Sequence, residues 1–145
     1  MNYCHDLYQR RRLETLEVDI GGTPLGGRNP IRVQSMTTTD TMDTAGTVAQ
    51  TLRMVESGAE YVRITAPSKK EAHNLAEIQK QLRAQGCRVP LVADIHFTPN
   101  AAEIAARIVS KVRVNPGNYA DKKKFKVIEY TDASYNDEIE PLCPE

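Results

Sequence analysis

The sequence predicts an α/β protein, the first half of a TIM-type (β/α)8 barrel preceded by an N-terminal β-hairpin. Three observations carry this prediction. From Ile31 onward, short β-branched runs alternate with amphipathic helical patterns, the signature of βαβ units and a parallel sheet. The apolar runs end in polar residues, as in Val-Ala-Asp-Ile-His at 92–96 and Val-Arg-Val-Asn at 112–115, where a barrel displays its ligand groups. A closed eight-stranded barrel needs about 250 residues, and this chain has 145.

In chain order, Leu16 to Ile20, Gly21-Gly22 and Thr23 to Leu25 form the hairpin, with the paired glycines as its turn. They lack the G-x-G-x-x-G spacing of a phosphate loop, and no helix follows them directly. Ile31 to Met36 is the first barrel strand. Ala45 to Glu56 is the first helix, capped through Asp43 or Thr44 and closed at Ser57 and Gly58. Tyr61 to Thr65 is the second strand and Lys69 to Gln85 the second helix. Ser68 and Glu71 make an S-x-x-E capping box, Gly86 ends the helix, and Ala72, Leu75, Ala76, Gln79 and Leu82 form one face. Leu91 to His96 is the third strand. Thr98 and Pro99 open a helix over Ala101 to Val109 with a buried stripe of Ala101, Ile104, Ala105 and Ile108. Lys111 to Asn115 is the fourth strand. Beyond Asn118 the pattern frays into an acidic stretch with Pro141 and Pro144, where a helix begins near Asn136. The expected organisation is a polar segment over 1–14, a partial barrel over 15–126 and a truncated acidic tail over 127–145.

Bulk composition excludes several functions. Nineteen basic and nineteen acidic residues cancel, so no global field attracts nucleic acid or an anionic membrane. No apolar run approaches the roughly 20 residues that cross a bilayer, and Met1 to Arg12 is too polar for a signal peptide. A cytoplasmic protein is expected. Cys4, Cys87 and Cys143 are odd in number and far apart, which argues against a disulfide framework or a cysteine-rich metal site. Cys87 reads as a small core residue, His73 as exposed, and Arg10 to Arg12 and Lys122 to Lys126 as solvated basic runs. No G-x-S-x-G, H-E-x-x-H or Walker sequence is present.

Side chains of a strand alternate between faces. One parity rule places Ile31, Val33, Val62, Ile64, Ile95, Val112 and Val114 toward the helices. The inward set is then Arg32, Gln34, Met36, Tyr61, Arg63, Thr65, Asp94, His96, Arg113 and Asn115. Two arginines on different strands suit an anion with several oxygens, because guanidinium presents a planar fork of donors. His96 and Asn115 add donors, and Asp94 orients them or receives a substrate hydroxyl. The competing structural reading is that Asp94 and Arg113 form an ion pair filling the barrel. The loop Thr37 to Thr41 is either a polar βα connection or a set of ligand contacts.

At these residues the chain resembles the 4-hydroxy-3-methylbut-2-enyl diphosphate synthases. Ile-Arg-Val-Gln-Ser-Met-Thr-Thr-Thr-Asp-Thr at 31–41, Tyr-Val-Arg-Ile-Thr at 61–65, 90–97 and 112–118 resemble that family's barrel segments in order and spacing. The Thr-rich wording and Asn-Tyr-Ala-Asp at 118–121 are similar to the long, three-domain form. The resemblance implies conversion of 2-C-methyl-D-erythritol 2,4-cyclodiphosphate to 4-hydroxy-3-methylbut-2-enyl diphosphate in isoprenoid biosynthesis. This is a two-electron reductive ring opening fed by ferredoxin or flavodoxin. It further implies that Arg63, His96, Arg113 and Asn115 hold the diphosphate while Asp94 orients them or the substrate hydroxyls, and that a four-iron, four-sulfur (4Fe-4S) cluster sits in a separate domain.

The implied cluster ligands, the acid carboxylate and later phosphate contacts fall beyond Glu145, so no catalytic or metal-binding role is assigned within this chain, and it is expected to be inactive alone and prone to self-association. Two other readings stay open: a different phosphate-binding barrel, such as a pterin-ester synthase, and a non-catalytic ligand-binding fragment.

Overall fold

Four parallel strands, neighbours in chain order, organise the computed structural model, which describes residues 8, 13–119, 129 and 131–139. A separate antiparallel hairpin precedes them, β1 (Val18–Ile20) and β2 (Thr23–Leu25), joined through Gly21 and Gly22 at φ 59° and 89°. Both turn positions lie in the left-handed region, so glycine at each relieves strain that a side chain would impose.

The main sheet is built from β3 (Gln34–Met36), β4 (Tyr61–Thr65), β5 (Leu91–Ile95) and β6 (Lys111–Val114). Helices α1 (Thr44–Glu56), α2 (Lys69–Ala84) and α3 (Pro99–Ala106) connect them in sequence. A short α4 (Pro116–Tyr119) follows, and α5 spans Asp132–Ile139.

Alternation along the strands splits the interior in two. Val62, Ile64, Leu91, Ala93 and Ile95 point to the helices and join Val48, Ala72, Leu75, Ile78, Leu82, Ala101 and Ala105 in the main core. Tyr61 and Val92, of opposite parity, pack instead against Ile20 of the hairpin. The Tyr61 hydroxyl donates to the Thr23 carbonyl at 2.7 Å, and burial pushes that phenol's pKa up. The hairpin thus floors the inner face at the amino-terminal end of the strands.

Several expected details differ. The first barrel strand covers 34–36 rather than 31–36, and Ile31 and Val33, expected against the helices, are exposed. The Val33 carbonyl accepts the Glu60 and Tyr61 N–H groups at 2.8 and 3.2 Å, and side chains hold the rest of the segment. Arg32 donates to the Pro24 carbonyl and to Glu60 Oε1, while Glu60 Oε2 accepts the Val33 N–H at 2.8 Å. That backbone hydrogen bond, followed by Arg32, holds the Glu60 carboxyl below its ordinary range.

Val114 is also partly exposed on the edge strand. On α2 the buried face contains Ile78 rather than Ala76, and half-buried Gln79 donates to the Ile108 carbonyl. Thr98 occupies the N-cap position without capping, since its hydroxyl donates to the Pro67 carbonyl. On α3, Ala102 is buried, and Ile104 and Ile108 pack only partly buried at the core margin. The last helix begins at Asp132, not near Asn136, and α4 is unanticipated. Cys87 is half-buried against the core and His73 is exposed. Cys4, Cys143, both basic runs and the end of the acidic tail lie outside the described residues.

The capping box of α2 is present as expected. Ser68 accepts the Lys70 N–H, and Glu71 Oε2 accepts both the Ser68 N–H and the Ser68 hydroxyl. The Ser68 hydroxyl is the main cause that lowers the Glu71 pKa below 4.5. Stability from this carboxylate is therefore present above that pH and is lost as pH falls through the lowered value. Ser68→Ala is expected to reduce stability by about 1 kcal/mol at neutral pH. Urea denaturation at neutral and acidic pH checks it: the difference should shrink on acidification, and a deficit that is independent of pH would rule the carboxylate out.

Candidate functional site

The polar residues of the inner face meet because of strand register. Thr65 pairs with Asp94 and Asp94 with Arg113, one level across three strands, while Met36 pairs with Arg63 one level nearer the hairpin floor. The flanking residues Ala93 and Ile95 are fully buried toward the helices, and alternation then points Asp94 to the opposite face.

Asp94 is the centre of this group, with only 1% of its surface exposed. Its Oδ1 accepts a hydrogen bond from Arg113 Nη1 at 3.0 Å. Its Oδ2 lies 3.4 Å from Arg63 Nε and 3.9 Å from His96 Nε2. A buried carboxylate persists only where cations and hydrogen bonds replace its lost hydration, and here both oxygens are engaged.

The arginine side chains are 32% and 41% exposed. Among the described residues, one carboxylate therefore sits beneath two guanidinium groups that reach toward solvent, which leaves an excess of positive charge on the accessible side. A self-contained ion pair would leave none. Arg63, Asp94, His96 and Arg113 are thus brought together, and half-buried Asn115 follows β6 on the parity of Arg113. Exposed Phe97 lies beside His96, with ring centroids 5.9 Å apart.

One contact lies outside the expected set. Arg63 Nε donates its hydrogen bond to Met36 Sδ at 3.1 Å. The parity rule places Met36 inward, but only the register, with Met36 opposite Arg63, reveals the pairing.

The Thr37–Thr41 loop uses its polar groups internally. Thr41 donates to the Thr65 carbonyl, the Thr39 and Thr47 hydroxyls are 2.8 Å apart, and Gln50 accepts the Thr38 and Thr39 N–H groups. Asp43 caps α1 by accepting the Gly46 N–H. The loop fastens β3 and β4 to α1, with Thr37 and Thr41 buried.

A hollow of about 390 Å³ lies away from this cluster, between Gly21, Arg83, Cys87 and Ser110. Among the described residues no three metal-ligating side chains converge, and no helix is long and apolar enough to cross a membrane.

Comparison with known proteins adds a second line. Residues 15–138 match the GcpE TIM-barrel domain family. The 4-hydroxy-3-methylbut-2-en-1-yl diphosphate synthase (flavodoxin) of Parabacteroides distasonis is 58% identical over 136 residues, covering 93% of this chain and 22% of the relative. The protein of that name from Akkermansia muciniphila is 52% identical over 144 residues, covering 99% and 25%. The chloroplastic 4-hydroxy-3-methylbut-2-en-1-yl diphosphate synthase (ferredoxin) of Oryza sativa is 46% identical over 141 residues, covering 97% and 19%. The chain spans about a fifth to a quarter of the length of these curated relatives.

Proposed function

This chain belongs to the GcpE TIM-barrel family, and from that premise we propose that it forms the substrate-binding first part of the barrel, over 15–126, in a 4-hydroxy-3-methylbut-2-en-1-yl diphosphate synthase. Its ligand in this reading is 2-C-methyl-D-erythritol 2,4-cyclodiphosphate. The reaction is a reductive opening of the cyclic diphosphate, with loss of water and two electrons delivered by flavodoxin or ferredoxin. A cytoplasmic setting accompanies a flavodoxin donor, which the names of both bacterial relatives specify.

The observation that carries the reading is the pair of arginines over the single carboxylate of Asp94, an excess of positive charge among the described residues. Arg63 and Arg113 offer donors to the diphosphate oxygens, and Asn115 adds a neutral donor. His96, beside the carboxylate at 3.9 Å, donates through the imidazole. Asp94 anchors Arg113 through a hydrogen bond and keeps Arg63 within 3.4 Å, so both guanidinium groups sit beside one buried carboxylate before the ligand arrives.

Electron delivery in this family's chemistry is the work of an iron-sulfur cluster. Among the described residues Cys87 is the one cysteine and no metal-ligating cluster occurs, so these residues do not fit such a group and no redox step is assigned to them. Their contribution is to bind the anion, orient it and neutralise its charge.

Calorimetric titration of the cyclic diphosphate into the chain tests the proposal. Binding is expected to weaken steeply with salt and to be competed by inorganic pyrophosphate. Binding of a pterin ester with indifference to the cyclic diphosphate would identify a different barrel enzyme.

A further inference from the structure

The hydrogen bond from Arg63 Nε to Met36 has a consequence for the anion site. Arg63 stands opposite Met36 in the β3–β4 register, and its Nε is 3.1 Å from the thioether sulfur and 3.4 Å from Asp94 Oδ2. A negatively charged partner lies within reach, yet the hydrogen bond goes to an uncharged sulfur. With an aliphatic side chain at 36, nothing would hold Nε away from Asp94. The guanidinium could then turn into a two-pronged pair with the carboxylate, the geometry that guanidinium and carboxylate prefer. That pair would turn the Arg63 donors away from the mouth. A carboxylate at 36 would add a second negative charge and cancel the excess. A thioether is a weak, neutral acceptor, so it fixes the side chain while leaving its charge intact.

We infer that Met36 is a positioning residue of the anion site, whose sulfur holds Arg63 by Nε so that the terminal Nη groups face a diphosphate in the barrel mouth. The inference rests on the anion-site reading above. It assigns to the strand before the Thr-rich loop a role in ligand affinity that packing does not require, since Met36 is 38% exposed.

Two substitutions of similar length separate positioning from packing. Met36→Leu keeps apolar volume and removes the acceptor, whereas Met36→Gln restores an acceptor on a side chain of similar reach. Inorganic pyrophosphate is titrated into the full chain and each variant by calorimetry. Exchange of the Arg63 Nε–H with solvent is read by NMR without any anion.

Met36→Leu is expected to weaken pyrophosphate about fivefold, the loss of one modest hydrogen bond, and to speed Arg63 Nε–H exchange. Met36→Gln should stay within about twofold of the parent. A packing role gives the reverse order, Leu tolerated and Gln impaired, and would overturn the inference. So would unchanged affinity and exchange in Met36→Leu. If the unsubstituted chain does not bind pyrophosphate, the anion-site reading fails and takes this inference with it. That outcome is told apart from failure of Met36 alone by the affinity of the unsubstituted chain.

Discussion

Asp94→Asn is expected to lower the free energy of unfolding by about 2–3 kcal/mol, the cost of weakening charged hydrogen bonds around one buried group. The side chain keeps its shape, so no cavity forms. What changes is that the buried oxygens lose their charge and one becomes an amide nitrogen. That amide faces Arg113 on one side, or Arg63 and His96 on the other, donor against donor. The loss stays below the largest values known for broken buried pairs, because both arginines are partly exposed and water solvates them. Urea denaturation measures it, with Glu103→Gln on the exposed side of α3 as a control expected within about 0.5 kcal/mol of the parent. If Asp94→Asn behaves like that control, Asp94 is not the electrostatic centre of the sheet.

Arg113→Met is expected to weaken diphosphate binding by at least about 1.5 kcal/mol, more than tenfold, since a charged donor is removed while side-chain length is kept. The same change deprives Asp94 of its shortest ion-pair contact, at 3.0 Å, so stability should fall as well. The two effects answer different questions. If Arg113 merely neutralises Asp94, combining Arg113→Met with Asp94→Asn should recover much of the lost stability, and the affinity for the cyclic diphosphate should not depend on Arg113. If Arg113 binds the ligand, affinity stays low in the double variant whatever happens to stability. A calorimetric titration on each member of the cycle decides it, and unchanged affinity in Arg113→Met would sink the assignment.

The order of strands and helices was legible because each unit carries its own punctuation. Ser68 and Glu71 announce the start of α2, Gly86 its end, and period-two patterning marks β4 and β5 as strands with two different faces. The convergence of Arg63, Asp94, His96 and Arg113 was legible for the same reason, since parity alone gives the face. What parity cannot give is partnership across the sheet. Ile31 and Val33 look like strand residues, but before Gln34 the backbone meets β4 through the Val33 carbonyl while the Val33 N–H is taken by the Glu60 carboxylate, which Arg32 also contacts. The Thr98 hydroxyl chose the Pro67 carbonyl over its own helix, a tertiary contact that no local cap signal contains. The Met36–Arg63 contact needed register, because a methionine in a strand is otherwise read as packing. The contacts of the Thr-rich loop were not legible, because their acceptors, Gln50 and the Thr65 carbonyl, sit on neighbouring elements.

The hairpin floor also shapes the electric field at the mouth. Ile20, Tyr61 and Val92 place poorly polarisable matter on the closed side of the charged cluster, while water lies on the other. Field lines from the two guanidinium groups are thereby directed outward along one axis. Physiological salt damps such a field over about 8 Å, so it does little to recruit a ligand from a distance. On the proposed anionic ligand it would act instead as a torque at close range, turning the most negatively charged end toward the arginines.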